Sequence, residues 1–187
     1  MNEKYIVFKK IKINIDLVSK ALHIPEEAVI KEFRDGRVTS RFSEYWAAEL
    51  YNFKKNNNTN KAAYDGTIEH PLLGSFCIGV RSLTKSGIKF QQSKYIGSGR
   101  KCTQKDLLLS LTNIDFELII DIIDFPIIYF IPVDGNILIN LIKEKKLTPS
   151  GYNRQNFYKF IFNCPIEKLN IENVNLNHNN NSFKRSL

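Results

Sequence analysis

The stretch from Asp65 to Arg100, DGTIEHPLLGSFCIGVRSLTKSGIKFQQSKYIGSGR, limits the fold more than any other. It holds two alternating runs, 76–84 and 88–96, joined by Lys85-Ser86-Gly87. Alternation with a period of two is strand patterning, and Gly87 can take the positive φ that tight hairpin turns need. A two-residue loop of Lys85 and Ser86 would set Thr84 opposite Gly87, Arg81 opposite Phe90, Gly79 opposite Gln92 and Cys77 opposite Lys94. Opposed residues share a face, so Arg81, Gln92 and Lys94 would project together beside the small Gly79. A mostly apolar face that turns to Gln, Lys and Arg is either a strand running out into water or a site. The register depends on the loop, because a one-residue slip moves the whole set to the other face.

A chain of 187 residues with 43% hydrophobic content supports one domain with a buried core. The formal net charge of +8 and the pI near 9.3 favour an anionic partner, nucleic acid before a membrane surface. The plainer alternative is a basic soluble protein. Cys77, Cys102 and Cys164 are odd in number and widely spaced, with no zinc pattern and no disulfide framework. A reducing, cytoplasmic setting is expected. The opening MNEKYIVFKKIK is too polar for a signal peptide, and Glu117, Asp121, Asp124 and Pro126 interrupt the apolar run 116–132. No membrane partner is expected.

Residues 5–13 alternate weakly and predict a short strand. Residues 15–22 and 26–33 have helical spacing, with Pro25 suited to a first turn. Two short helices about a tight turn give either a plain helical hairpin or a helix-turn-helix outline. The DNA-reading version is poorly supported, since Lys31 is the one cation of the second helix before Arg34. Phe42, Tyr45, Trp46, Glu49 and Leu50 predict an amphipathic helix over 38–53, capped by Thr39 or Ser40. Residues 54–61, KKNNNTNK, read as a loop. Thr103 to Asp106 resembles a capping box ahead of Leu107, Leu108 and Leu111. The β-branched run 116–131, split at Asp124-Phe125-Pro126, predicts one or two buried strands. Asp134-Gly135 predicts a turn, 137–147 a helix, and 157–162 a last strand. From Asn170 the chain becomes Asn-rich and basic, and 175–187 are expected to be disordered. The expected division is an N-terminal appendage over 1–37, a core over 38–169 and a tail over 170–187.

This order of helix, strands, helix and strand predicts an α/β (α+β) fold with a mixed central sheet and an αβββαβ core flanked by helices. Glu44 lies in the helix before the sheet, Asp65 lies before the hairpin, and Gln92-Ser93-Lys94 gives an x-x-Lys triplet on a following strand. On these residues, over roughly 39–133, the chain resembles the PD-(D/E)xK nuclease superfamily, which includes many type II restriction endonucleases. The resemblance implies a Mg²⁺-dependent DNA endonuclease. Asp65 and Glu44 would be metal ligands, Gln92 would stand where the family usually has a carboxylate, and Lys94 would assist the attacking water. Hard divalent cations take oxygen ligands, and a lysine beside them adds a point charge. A second reading places Gly79-Val80-Arg81 at the acid-x-Lys position, with Arg81 for the lysine and no side-chain ligand at Gly79. Arg81, Lys89, Arg100 and Lys101 would hold the backbone of double-stranded DNA. Cutting both strands with one site per chain implies a homodimer.

Each residue also has a plainer reading. Asp65-Gly66 alone makes a turn. Glu44 alone makes an exposed ion pair with Arg41 or Arg37. Gln92 and Lys94 alone end a strand, and Gly97-Ser98-Gly99-Arg100 alone makes a loop. His70, before Pro71, is structural or exposed, with a substitute base as the other option. The missing third carboxylate keeps open a non-catalytic nucleic-acid-binding protein on the same fold.

Overall fold

The computed structural model describes residues 7–56, 64–90, 101–149 and 151–174. The fold is mixed α+β. Seven described strands form one sheet in the order β2-β3-β4-β5-β6-β1-β7, with β1 Lys9–Lys12, β2 Lys54–Lys55, β3 Gly66–His70, β4 Gly74–Leu83, β5 Phe116–Asp121, β6 Ile127–Asp134 and β7 Glu172–Asn173. The pairs β4–β5 and β1–β7 are parallel and the rest antiparallel. Six described α-helices complete the chain: α1 Ile15–Leu22, α2 Glu26–Arg34, α3 Arg37–Tyr51, α4 Gln104–Leu111, α5 Gly135–Lys143 and α6 Arg154–Phe162. The run α3-β2-β3-β4-α4-β5 gives the αβββαβ element order, and α4 makes the crossover that a parallel β4–β5 pair requires.

Both faces of the sheet are covered, which explains why β5 and β6 read as nearly unbroken apolar runs. Leu118, Ile120 and Phe130 pack with Val29 of α2 and Ala47 and Leu50 of α3. Ile119, Ile131 and Val133 pack with Leu107 and Leu111 of α4, Leu138 of α5 and Phe157 of α6. Each of these side chains larger than alanine contributes about 1.5–3 kcal/mol by leaving water. The capping box at α4 is complete: Thr103 Oγ1 accepts from Asp106 N, and Asp106 Oδ2 accepts from Thr103 N at 2.9 Å.

The expected hairpin over 76–84 and 88–96 is replaced by a different one. Thr84 and Gly87 do exchange backbone bonds around Lys85 and Ser86. The pairing stops there, and Ile88 bonds Tyr152 instead, at 2.7 and 2.9 Å. β4 instead takes two other partners along its length, β3 over 74–78 on one edge and β5 over 78–83 on the other. The hairpin partner is β3, joined through 71–73 with Gly74 at φ 87°, and β5 fills the other edge, setting Arg81 beside Ile119 and not Phe90. Residues 91–96, with Gln92 and Lys94, lie outside the described residues, as do Gly97–Arg100.

The expected strand over 157–162 is helix α6. Asn153 caps it, accepting from Asn156 N at 2.8 Å. Its aromatics suit strands, but Phe157 and Tyr158 with Ile161 and Phe162 make one helical face against the core. Neither Thr39 nor Ser40 caps α3. Gly36 takes that place, and Thr39 lies buried within the helix, donating from Oγ1 to Phe33 O at 2.6 Å. Asp134 caps α5 rather than forming a separate turn, so that helix begins at Gly135. The expected loop at 54–61 contributes strand β2, and 57–61 lie outside the described residues. The expected divisions at 37 and 169 do not separate the sheet, because β1 pairs with β6 and β7 pairs with β1. The segment 175–187 lies outside the described residues. No described helix is long and apolar enough to cross a membrane.

Candidate active site

A row of residues crosses the sheet from β3 to β5. Gly66 pairs with Ile78 and Gly79 pairs with Glu117, so Asp65, one step before β3, comes level with Gly79. The row therefore runs Asp65, Gly79, Glu117. Arg81, two residues along β4, shares the face of Gly79. The backbone fixes Asp65 at this point: its N–H donates to Ile78 O at 2.9 Å, and its carbonyl accepts from Asn56 N at 2.9 Å.

The side chains converge. Asp65 Oδ2 accepts from Val80 N at 2.7 Å and from Arg81 Nη1 at 3.1 Å. Arg81 Nη2 lies 3.5 Å from Glu117 Oε1. Glu117 is completely buried, while the Asp65 side chain is 30% exposed, so the cluster opens to water on the Asp65 side. Neither Glu117 oxygen has a hydrogen-bond partner among the described residues. Buried carboxylates ordinarily find donors, which makes this one conspicuous. Burial pushes Glu117 up to about 7; Arg81 pulls it down, and the charge of Asp65 pushes it further up. Burial lowers the Arg81 guanidinium, but Glu117 and Asp65 together hold it above its ordinary value.

Gly79 makes room for this. A Cβ there would lie 2.3 Å from Glu117 Oε2 and 2.6 Å from its Cδ. The carboxylate of Glu117 thus occupies the space that a side chain on β4 would otherwise fill. Gly79→Ala is expected to destabilise the chain by about 1–3 kcal/mol, since the buried carboxylate must move. In a Glu117→Ala background the same change should cost little. Urea denaturation of the four proteins checks this, and equal costs in both backgrounds would refute the steric coupling.

Glu44 stands elsewhere. Its carboxylate meets Lys55 Nζ of β2 at 2.6 Å, rather than Arg41. That hydrogen bond raises Lys55, and the charge of Asp65 also reaches Lys55. Lys89 and Lys101 are exposed. Gln92, Lys94 and Arg100 lie outside the described residues. His70 Nδ1 accepts from Leu72 N at 3.2 Å within the β3–β4 turn. Among the described residues no three of His, Cys, Asp and Glu form a group that could hold a metal ion.

Sequence reasoning missed Glu117. Its signal was present, since alternation puts Glu117, Ile119 and Asp121 on one face of a buried run. Asp121 shows what a structural buried acid looks like: it accepts from Arg154 Nε at 2.7 Å, Tyr158 Oη at 2.9 Å and Ile123 N at 3.1 Å. Glu117 has no comparable set of donors. Compared with protein-family models, curated proteins and solved structures, the chain matches none.

Proposed function

We propose that the chain is a metal-dependent DNA endonuclease of the PD-(D/E)xK type, in which Asp65 and Glu117 are the acids and Arg81 the adjoining cation. The observation that carries this is the convergence of Asp65, Arg81 and Glu117 about Gly79 within an αβββαβ element order. Gly79-Val80-Arg81 then corresponds to the acid-x-Lys position. The acid absent from β4 is supplied by β5, into the space that Gly79 leaves open.

The donor set suits a hard cation. Among the described residues, two carboxylates face one guanidinium, and the Glu117 oxygens are buried acceptors without hydrogen bonds. Asp65 and Glu117 would hold Mg²⁺, with Gln92 as a further ligand. When bound, that ion lowers the pKa of water and offsets charge on the phosphoryl oxygens. Val80 N–H and Arg81 hold Asp65 in place, so its free oxygen keeps a fixed direction. Arg81 offsets part of the burial that raises Glu117, and so favours its charged form. Lys94 would assist the attacking water. Lys89, Arg100 and Lys101 would hold the duplex, and two copies of the chain would cut both strands.

The experiment is incubation of plasmid and genomic DNA with the purified protein, in Mg²⁺ or in EDTA, beside Asp65→Ala and Lys94→Ala. The expected result is discrete Mg²⁺-dependent fragments, absent with both variants, while gel shifts persist. Intact DNA under every condition, with salt-sensitive gel shifts, would support the non-catalytic binding protein instead. The Arg81 pairs would then be a structural ion cluster.

A further inference from the structure

A cavity of about 540 Å³ lies between the end of α2 and the turn after β4. Lys31 and Arg34 of α2 and Lys85 of the turn line it, with Thr84 and Ser86. It is separate from the Asp65 site: Thr84 is five residues beyond Gly79, about 16 Å along a strand. Its walls are fixed. Val29 is buried beneath α2, and Arg34 Nη2 donates to Phe125 O at 2.9 Å. At the α2–α3 junction Gly36 lies so close to Thr84 that a Cβ would come within 2.4 Å of Thr84 Cγ2. On the other wall Thr84 Oγ1 accepts from Ser86 N at 3.2 Å and lies 2.8 Å from Ser86 Oγ.

We infer that this cavity is a second binding site and that it takes a phosphoryl group. A tetrahedral oxyanion uses several donors at once. The Arg34 N–H groups not taken by Phe125, two ammonium groups and one hydroxyl of the Thr84–Ser86 pair supply them from two directions. Glu27 and Asp35 also line the cavity, so three cations face two carboxylates. That balance suits a weak contact with one phosphate of many, and it disfavours a small dicarboxylate, which would meet the two acids without gaining enough donors. The phosphate comes either from a nucleic-acid backbone or from free phosphate.

The test compares wild type with Lys31→Gln/Lys85→Gln, both exposed positions, and with Lys20→Gln, a lysine on α1 paired with Asp16. Each protein is titrated with a 20-bp duplex over a salt series, and separately with inorganic phosphate while the amide resonances of Thr84 and Ser86 are followed. In the double variant the slope of log affinity against log salt should fall by about 2, one for each lysine. Phosphate should shift Thr84 and Ser86 in wild type and leave them still in the double variant. A slope effect alone identifies the backbone as the source; a phosphate effect alone identifies free phosphate. Neither effect, or an equal slope loss per lysine in Lys20→Gln, overturns the site. The duplex arm rests on the nucleic-acid reading above, and the phosphate arm does not. A protein that binds no duplex would defeat that reading while the phosphate titration still decides the cavity.

Discussion

On the nuclease reading proposed above, Glu117→Gln is expected to lower Mg²⁺-dependent DNA cleavage by about 10²-fold or more, since losing a group that merely supports a metal ligand already costs about 10–100-fold. Duplex affinity should hold, because Glu117 is buried and makes no contribution to a basic surface. Glutamine keeps the shape and removes the charge, so the change isolates the carboxylate. It also leaves Arg81 bonded to Asp65, at 3.1 Å, and so keeps the guanidinium compensated. Measured turnover with saturating DNA checks the prediction. A rate within a few-fold of wild type would reduce Glu117 to a structural counter-ion of Arg81.

A companion variant separates position from identity. Gly79 is outside the left-handed region, so a side chain there is barred by Glu117 and not by backbone strain. In a Glu117→Ala background, Gly79→Glu returns an acid to the same space from β4 and should recover part of the lost rate. It would also recreate the acid-x-Arg spacing on one strand, where ligands two apart share a face. No recovery, in a protein that folds normally, would mean that the approach from β5 matters as well as the charge.

The sequence carried the elements whose signals are local. The α4 capping box, the Pro126 break between β5 and β6, and the helical spacing of α1 to α3 all depend on neighbours in the chain, and these elements form where expected. It misled where the deciding contact is distant. Two turns compete to set the hairpin partner of β4, and Gly74, at φ 87°, makes the 71–73 turn as good a candidate as Lys85-Ser86-Gly87, where Gly87 has φ 89°. The α6 segment is rich in aromatics, and its helix follows from the Asn153 cap and from Arg154 reaching Asp121 and Asp124. Asp65 and Arg81 were legible as candidates because they lie in one glycine-punctuated stretch, and the structure brings their side chains within 3.1 Å of each other. Glu117 was not, because its role comes from pairing beside Gly79, a parallel contact made only after α4 crosses over. The interruption of an apolar run by acids was visible, but sequence alone could not separate Asp121, with its three donors, from Glu117, which has no hydrogen-bond donor among the described residues.

The same residue sets the second large expectation, in stability. Burial raises Glu117 to about 7, so the folded chain keeps this proton over a range in which the unfolded chain, with an ordinary glutamate near 4.3, has already released it. Where the folded state holds more protons, stability falls as pH rises. The contribution is whole below about pH 4, declines through pH 5 and 6, and is gone above about pH 8. Its full size is about 3 kcal/mol. Glu117→Gln has no proton to lose, so its stability relative to wild type should rise by about that amount between pH 4 and pH 8. Subtracting the two curves cancels the other carboxylates, Asp121 included, and leaves the Glu117 part. A difference that stays level across this range would place the Glu117 carboxylate in an ordinary solvated environment. Mg²⁺ adds a discriminating step at pH 8, where the ionised Glu117 is least comfortable. A ligand that binds only the folded state raises stability by mass action. Millimolar Mg²⁺ should therefore raise the melting temperature of wild type and leave Glu117→Gln unmoved. Equal shifts in both proteins would place the ion elsewhere and return the Glu117–Arg81 pair to a purely structural role.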